Sequence, residues 1–448
     1  MVHRRTKKAS LVALAAAGAL ILASCSGGGD TTEGTDAEGG PATPTLQPVT
    51  LTIQHSLLAE EARTVLTDAI AGFEAEHENV TIETAYVPWA DLHTTTLAKF
   101  ASGEAPDIMY GSDGWGMPEF SDLGMFLDLD KYMDEDLRAK FAADAFEPYG
   151  TTALPFSMSF EQIVFYRPEL FAAAGVEPPP VDQAWGWDEF LAAATALTQD
   201  VNGDGQTDQW GFSERGKAGT LAAKSWIPYL QSYGTDIIVP GNDGWEANLD
   251  DPDAVAALER MISLSTEYGV VPPDFIGWDL PEAVEAWNTG QLAMLNIGSW
   301  FAGSIEGEYG TDYDVMLFPT DGEPAAYVSN NWWTVAAESE HPDEAFAFLE
   351  YLYDPVRLQD LAEANNNAIP ATADALQDEH YSSESFPLWA DRLSLWQDYI
   401  VHAPTQPDYM NLWVNDVVPY LQTAIEGDDT AEGAVSKAQN ALEQDLAD

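Results

Sequence analysis

Val49-Thr50-Leu51-Thr52-Ile53 and Val80-Thr81-Ile82-Glu83-Thr84-Ala85-Tyr86-Val87 decide the fold class of this chain. Both carry the period of two that marks a strand. Between them, Glu60 to His77 places Val65, Leu66, Ala69, Ile70 and Phe73 on one helical face. Asp91 to Ala101 predicts a second helix, closed by Gly103 and Pro106, and Asp107-Ile108-Met109-Tyr110 a short buried strand. A β-α-β-α-β opening predicts an α/β layer on a largely parallel sheet. Farther along, Trp187 to Leu197, Pro252 to Tyr268 and Pro342 to Tyr353 read as helices, the last with Ala345, Phe346, Phe348, Leu349 and Leu352 inward. No short repeat and no second linker interrupts this pattern. A chain of about 400 residues past its leader exceeds what one core usually supports, so two interleaved lobes are expected.

The leader is itself informative. Arg4, Arg5, Lys7 and Lys8 precede the apolar run Leu11 to Ala23, which is too short and Ala-rich for a comfortable membrane span. Basic, apolar and small-residue regions in that order form a secretory signal, expected over residues 1–24. Leu22-Ala23-Ser24-Cys25 resembles a bacterial lipobox, whose cysteine is diacylated and becomes the new N-terminus. Cys25 is also the single cysteine of the sequence, so disulfides and thiolate metal sites are not expected. Residues 25–48 are Gly, Ser, Thr, Asp, Glu and Pro with little apolar content, a solvated tether. The expected location is therefore the extracytoplasmic face of the cell membrane, held there by lipid alone.

Charge excludes several partners. With 17 basic and 75 acidic residues the net charge is −58, which disfavours nucleic acid and an anionic bilayer. The scarcity of Arg and Lys also argues against a phosphate or carboxylate ligand. The 15 Trp and 17 Tyr leave room for a ring-lined cleft after the core is filled.

Several blocks, spread in order from Val49 to Leu446, resemble the extracellular solute-binding proteins of the maltose-binding type, which feed ABC importers for sugars. Phe100-Ala101-Ser102-Gly103-Glu104-Ala105-Pro106-Asp107-Ile108 is similar to the family's F-x-x-G-x-x-P-D-[IV] segment. Leu154 to Ser157 with Phe165 to Val176 resembles its "P-[FY]-S … YN-x-x-[LF]F-x-x-AG" block, and Trp187-Asp188-Glu189-Phe190 its W-[DE]-E-[FL] helix start. Met294 to Trp300 resembles the M-x-x-x-G-x-W hinge motif; Asn366-Asn367-Ala368-Ile369-Pro370 stands where members carry a Gly-rich turn. The resemblance implies a type II periplasmic-binding-protein fold, two interleaved α/β lobes with a hinge and a ligand cleft. It places residues 49–156 with 302–366 in lobe 1 and 157–301 with 367–448 in lobe 2. Crossings are expected near Phe156 to Glu161, Trp300 to Ser304 and Asn365 to Pro370. It also implies a monomer that delivers a neutral sugar or oligosaccharide to ABC permease subunits.

A sugar site wants flat rings against C–H faces and Asp, Asn or Glu to receive hydroxyl protons. Trp300, on the hinge motif, and Trp413 fall at ring-stacking positions of the family; bracing of the hinge and helix packing are their structural alternatives. Asp113 follows the Pro-Asp-Ile strand, at the strand end that faces a crevice, with Trp115 in the same loop. Glu161 follows the first crossing. In Asn330-Asn331-Trp332-Trp333, Asn331 and Trp332 are candidates, since alternation sends one Trp to the crevice and the other to the core. Trp89 and Trp226 are weaker candidates for which packing serves as well.

Asp200-Val201-Asn202-Gly203-Asp204-Gly205-Gln206-Thr207-Asp208 reproduces nine positions of a calcium loop, with Asp200, Asn202, Asp204, Gln206 and Asp208 at ligand positions and Gly205 at the sharp turn. The twelfth position is Gly211, where an EF-hand has Glu. A structural Ca²⁺ pinning a surface loop and an ordinary Asp/Gly turn are both open; no cofactor is required. No G-x-S-x-G elbow, H-E-x-x-H pair or phosphate loop is present. The competing readings are a secreted glycoside hydrolase with a Trp-lined cleft and a sensor or adhesin lipoprotein on the same fold.

Overall fold

The computed structural model describes residues 47–113, 116–141, 146, 150–242, 244–305, 312–365, 368–372, 392, 395–396, 399–401, 406 and 408–447. The signal, Cys25, nearly all of the linker, Trp115 and Asn366-Asn367 lie outside them.

Eleven strands are described: β1 (Val49–His55), β2 (Val80–Tyr86), β3 (Ile108–Ser112), β4 (Leu154–Tyr166), β5 (Ile238–Pro240), β6 (Trp245–Ala247), β7 (Met294–Ile297), β8 (Asp314–Met316), β9 (Ala326–Val335), β10 (Ile369–Pro370) and β11 (Ile400–Val401). β1 pairs in parallel with β2 and with β3, as the opening pattern predicts. The helix Glu60–Glu76 covers them with Ala62, Leu66, Ala69, Ile70 and Phe73. The helix Trp89–Ser102 ends where Gly103 takes a left-handed φ of 73°, a conformation that costs a side-chain-bearing residue energy. Asp107 explains the Pro-Asp-Ile segment. Its carboxylate accepts the Thr52 N–H and hydroxyl at 2.8 and 3.0 Å and the Ser339 hydroxyl at 2.6 Å, tying β1, β3 and the turn after β9 together.

The sheet is more mixed than expected. Its order is β10-β4-β9-β3-β1-β2, with β7 and β8 also on β4 and β11 on β9. β9 runs antiparallel to both β3 and β4. β4, at 13 residues, belongs to two cores. Its early residues Leu154 and Phe156 pack with Leu51, Ile53, Tyr110 and Phe348 in a first core. Phe160 and Ile163 to Tyr166 pack with Trp187, Trp226, Trp287 and Leu295 in a second. β9 divides the same way: Ala326 to Val328 join the second core, Trp333 and Val335 the first.

This division corrects one expectation. Ile305, Val315 to Phe318 and Ala326 to Val328 all pack in the second core, so the chain returns to the first inside β9, and not at Trp300 to Ser304. The apolar run of β8 and of the segment after it needs the β4 surface to bury against, and that surface lies in the second core. A later change of core falls between Ala362, in the first, and Ile369, in the second.

Candidate functional site

Strand register brings four chain segments to one place. β3 ends at Ser112, paired with Asn331 of β9, and Asp113 follows directly. β9 passes on to Ser329 opposite Ser159 of β4 and Tyr327 opposite Gln162, so Glu161 lies at the same level. Ile297 of β7 pairs with Ile163 of β4 and leads into Gly298 and Trp300. Beside β7, in parallel, runs the segment Trp210 to Ser213: Ser213 donates to the Met294 carbonyl and accepts from the Asn296 N–H. It ends in Glu214 and Arg215. Carboxyl ends of neighbouring strands, at the point where the chain changes cores, are where open α/β sheets place ligands.

The groups that meet there are strongly polar and largely enclosed. Asp113 accepts the Asn330 backbone N–H at 2.8 Å and the Trp332 indole N–H, which binds the carboxylate to β9. Asn331, half-buried, donates its amide to the Ser157 hydroxyl at 3.1 Å. Ser112 and Ser329 share a hydroxyl hydrogen bond of 2.8 Å. Glu161 accepts from the Lys224 ammonium at 3.0 Å, both side chains buried. Tyr327 sits among these charges. Burial first, then the negative charges of Glu161, Asp113 and Asp236, hold its phenol well above the ordinary range. Asp236 accepts the Tyr409 hydroxyl at 2.7 Å, and burial pushes its own pKa up to about 7. Glu214, fully enclosed, accepts from Tyr229 and from the Asn296 amide, each at 3.2 Å; burial pushes it up to about 8, so it is mainly protonated at neutral pH.

The candidate aromatic residues fall into distinct surroundings. Trp300 is half-buried, its ring 5.0 Å from the Arg215 guanidinium. Trp332 and Trp333 point to opposite faces of β9, as alternation requires, yet both are fully buried. Trp333 packs 4.9 Å from Tyr110 in the first core. Trp332 is covered by Met109, Met117 and Phe120, since the short helix Met117–Asp122 closes over the face expected to be open. Trp413 is buried in the second core, at the start of a π-helical turn (Trp413–Val417). Trp226 is buried in the helix Thr220–Gln231, whose residues from Ala222 to Leu230 are all enclosed. Trp89 is half-buried at its helix start, 5.9 Å from Tyr110. The register thus gathers Asp113, Glu161, Trp300, Asn331 and Trp332, while Trp226 and Trp89 serve packing.

The loop Asp200 to Asp208 lies elsewhere, after the helix Trp187–Leu197. Asp200 accepts three backbone N–H groups, from Gly203 and Gly205 at 2.7 Å and Asp204 at 3.1 Å. Asp208 accepts those of Val201 and Asn202 at 2.7 and 3.3 Å, Asn202 accepts that of Asp204, and Asp204 that of Gln206. Among the described residues no group of three His, Cys, Asp or Glu side chains is placed to hold a metal ion.

Lys224, Arg215, Asp236, Tyr327 and Tyr409 escape a motif search. Lys224 alone carries a sequence signal, a charge in apolar company in Ala222-Ala223-Lys224-Ser225-Trp226.

Residues 58–356 match the model of the bacterial extracellular solute-binding protein family. A binding protein of Brucella abortus is 24% identical over 289 residues, covering 63% of this chain; the match spans 66% of that relative's own length. An uncharacterized lipoprotein of Streptomyces antibioticus is 22% identical, covering 88% of this chain and 89% of its own. An ABC substrate-binding protein of Listeria monocytogenes, solved in complex with cycloalternan, superposes with a TM-score of 0.76 at 21% identity, covering 90% of this chain and 100% of that one, a likeness of fold. With the two-core sheet and the polar junction at its strand ends, the family match establishes that the chain belongs to the bacterial extracellular solute-binding proteins.

Proposed function

We propose that this protein captures a sugar or oligosaccharide outside the cytoplasm and delivers it to the permease of an ABC importer, closing its two halves on the ligand. The observation that carries the reading is the convergence of Asp113, Glu161, Asp236 and Asn331 with the half-buried ring of Trp300 at one sheet junction. Carboxylates and amides held by fixed partners suit hydroxyl recognition, and an indole suits the C–H face of a pyranose. Asp113 and Glu161 are engaged as hydrogen-bond acceptors, an arrangement that favours binding over acid catalysis. The saccharide in the Listeria neighbour supports the same ligand class. In this reading Cys25 carries the lipid, residues 25–48 are the tether and the protein acts as a monomer.

Thermal shift and tryptophan fluorescence of the domain from Val49 onward, against di- and oligosaccharides, test the reading. A rise in melting temperature with the sugar recovered intact supports it. Recovery of smaller fragments replaces it with a glycoside hydrolase. Silence across the panel removes the carbohydrate assignment.

A further inference from the structure

Arg215 stands out among the groups at the junction. It is 1% exposed, and its Nε and Nη2 have no hydrogen-bond partner among the described residues. Those two atoms form one edge of the guanidinium, with N–H bonds that run parallel and meet a pair of oxygens side by side. Glu161 and Asp279 lie near enough to favour its charge, but Glu161 is hydrogen-bonded to Lys224 and Asp279 to Lys217. The ring of Trp300 touches the guanidinium from one side. Burying a cation with an orphaned donor edge costs stability, and no hydrogen bond among the described residues offsets it. Moreover, this is one of only 17 basic residues in a chain of net charge −58. Arg215 leaves the same strand end as Trp300, since the segment Trp210 to Ser213 runs parallel to β7.

We propose that the Nε–Nη2 edge of Arg215 binds a two-oxygen acceptor on the ligand, the carboxylate of a uronic-acid unit in the sugar that stacks on Trp300. This rests on the sugar-binding reading and narrows its substrate class to acidic saccharides, which overturns the expectation, drawn from the scarcity of Arg and Lys, that no carboxylate ligand is bound. A neutral sugar offers the same edge a pair of adjacent hydroxyl oxygens, so the two sources are separated by experiment. The charge balance favours the carboxylate: one anion on the ligand compensates a buried cation that has no hydrogen-bonded counter-ion among the described residues.

Binding of trigalacturonate and of maltotriose is measured by calorimetry on wild type and R215K, alongside the unliganded melting temperatures of wild type and R215M. Lysine keeps the charge and loses the fork. The expected result is binding of trigalacturonate that weakens ten-fold or more in R215K, with R215M melting at or above wild type. Maltotriose binding that weakens similarly in R215K keeps the contact and overturns the uronate. Binding unchanged in R215K, or an unliganded R215M that melts several degrees lower, overturns the assignment by making Arg215 a structural residue. If wild type binds neither sugar nor any other saccharide, the proposed function fails; the uronate assignment falls with it, and the melting comparison still decides whether Arg215 is structural.

Discussion

Asn411 donates its side-chain amide to the carboxylate of Glu119, 3.3 Å away, and so joins a segment packed in the second core to the short helix that covers Trp332, on the face of β9 away from the first core. Glu119 also takes the ring nitrogen of His93. The bond spans 292 positions of sequence, and the closure proposed above would depend on contacts of this kind. A hydrogen bond to a carboxylate contributes about 1.5–3 kcal/mol. N411A is therefore expected to weaken ligand binding several-fold and to raise the radius of gyration of the unliganded protein in small-angle scattering. An unaltered affinity and radius would mean that the contact does not hold the closed arrangement.

Lys224 and Glu161 predict a different kind of result. Both are buried and bonded at 3.0 Å, so K224M leaves a carboxylate enclosed without its cation. Breaking one side of such a pair costs about 3–5 kcal/mol. The double variant K224M/E161Q is expected to recover most of that loss in chemical denaturation, because the stranded charge is gone. Equal destabilisation of single and double variants would show that Lys224 acts through packing.

Asp236 and Glu214 set the pH response. Their folded pKa values, about 7 and about 8, lie above the ordinary carboxyl values of 3.8 and 4.5. The folded state therefore binds more protons across that window, and stability falls as pH rises through it. His55 works in the opposite sense at the acid end: burial lowers it to about 4, so its contribution is lost as pH falls below its ordinary 6.5. Melting temperature is expected to decline from about pH 5 to about pH 8, with a shallower decline in D236N up to about pH 7. Parallel curves for the two proteins would remove Asp236 as the source.

Asp200 is the keystone of the loop from Asp200 to Asp208. D200A deprives three backbone N–H groups of their acceptor, at a cost of about 1–2 kcal/mol given the exposure of the loop. The same melting experiment with added calcium and with chelator decides the cation question. A calcium-dependent rise in wild type that D200A lacks assigns the ion to this loop; no rise leaves it an Asx-rich turn.

Much of the fold is legible in the sequence because its signals are local. The period of two in Val49 to Ile53 and the one-sided face of Glu60 to Glu76 report directly on burial. The helix Trp187–Leu197 begins and ends where its pattern does. What local pattern cannot carry is which core a segment joins. Val315 to Phe318 are apolar in either case, and only the β4 surface fixes their place. The same holds at the site. Asp113 is readable from its position after a strand, whereas the closure of Met117 and Phe120 over Trp332 depends on a helix of six residues with little signal of its own. Arg215, Lys224 and Asp236 become visible only once burial is known, since a charge acquires meaning from what surrounds it.

The sharing of β4 and β9 between two cores also governs how the molecule can come into being. The first core needs Leu51 and Ile53 from one end of the chain together with Leu358 and Leu361 from far along it. A chain stopped before Leu358 thus holds neither hydrophobic interior complete, and because the second core runs from Phe160 to Leu442, across the later half of the first, no single cut separates the two. Such long-range pairing slows folding, because chain entropy must be surrendered before the contacts that reward it exist. For an exported polypeptide that delay is an asset: it keeps the chain open, and therefore threadable, until its last helices have emerged.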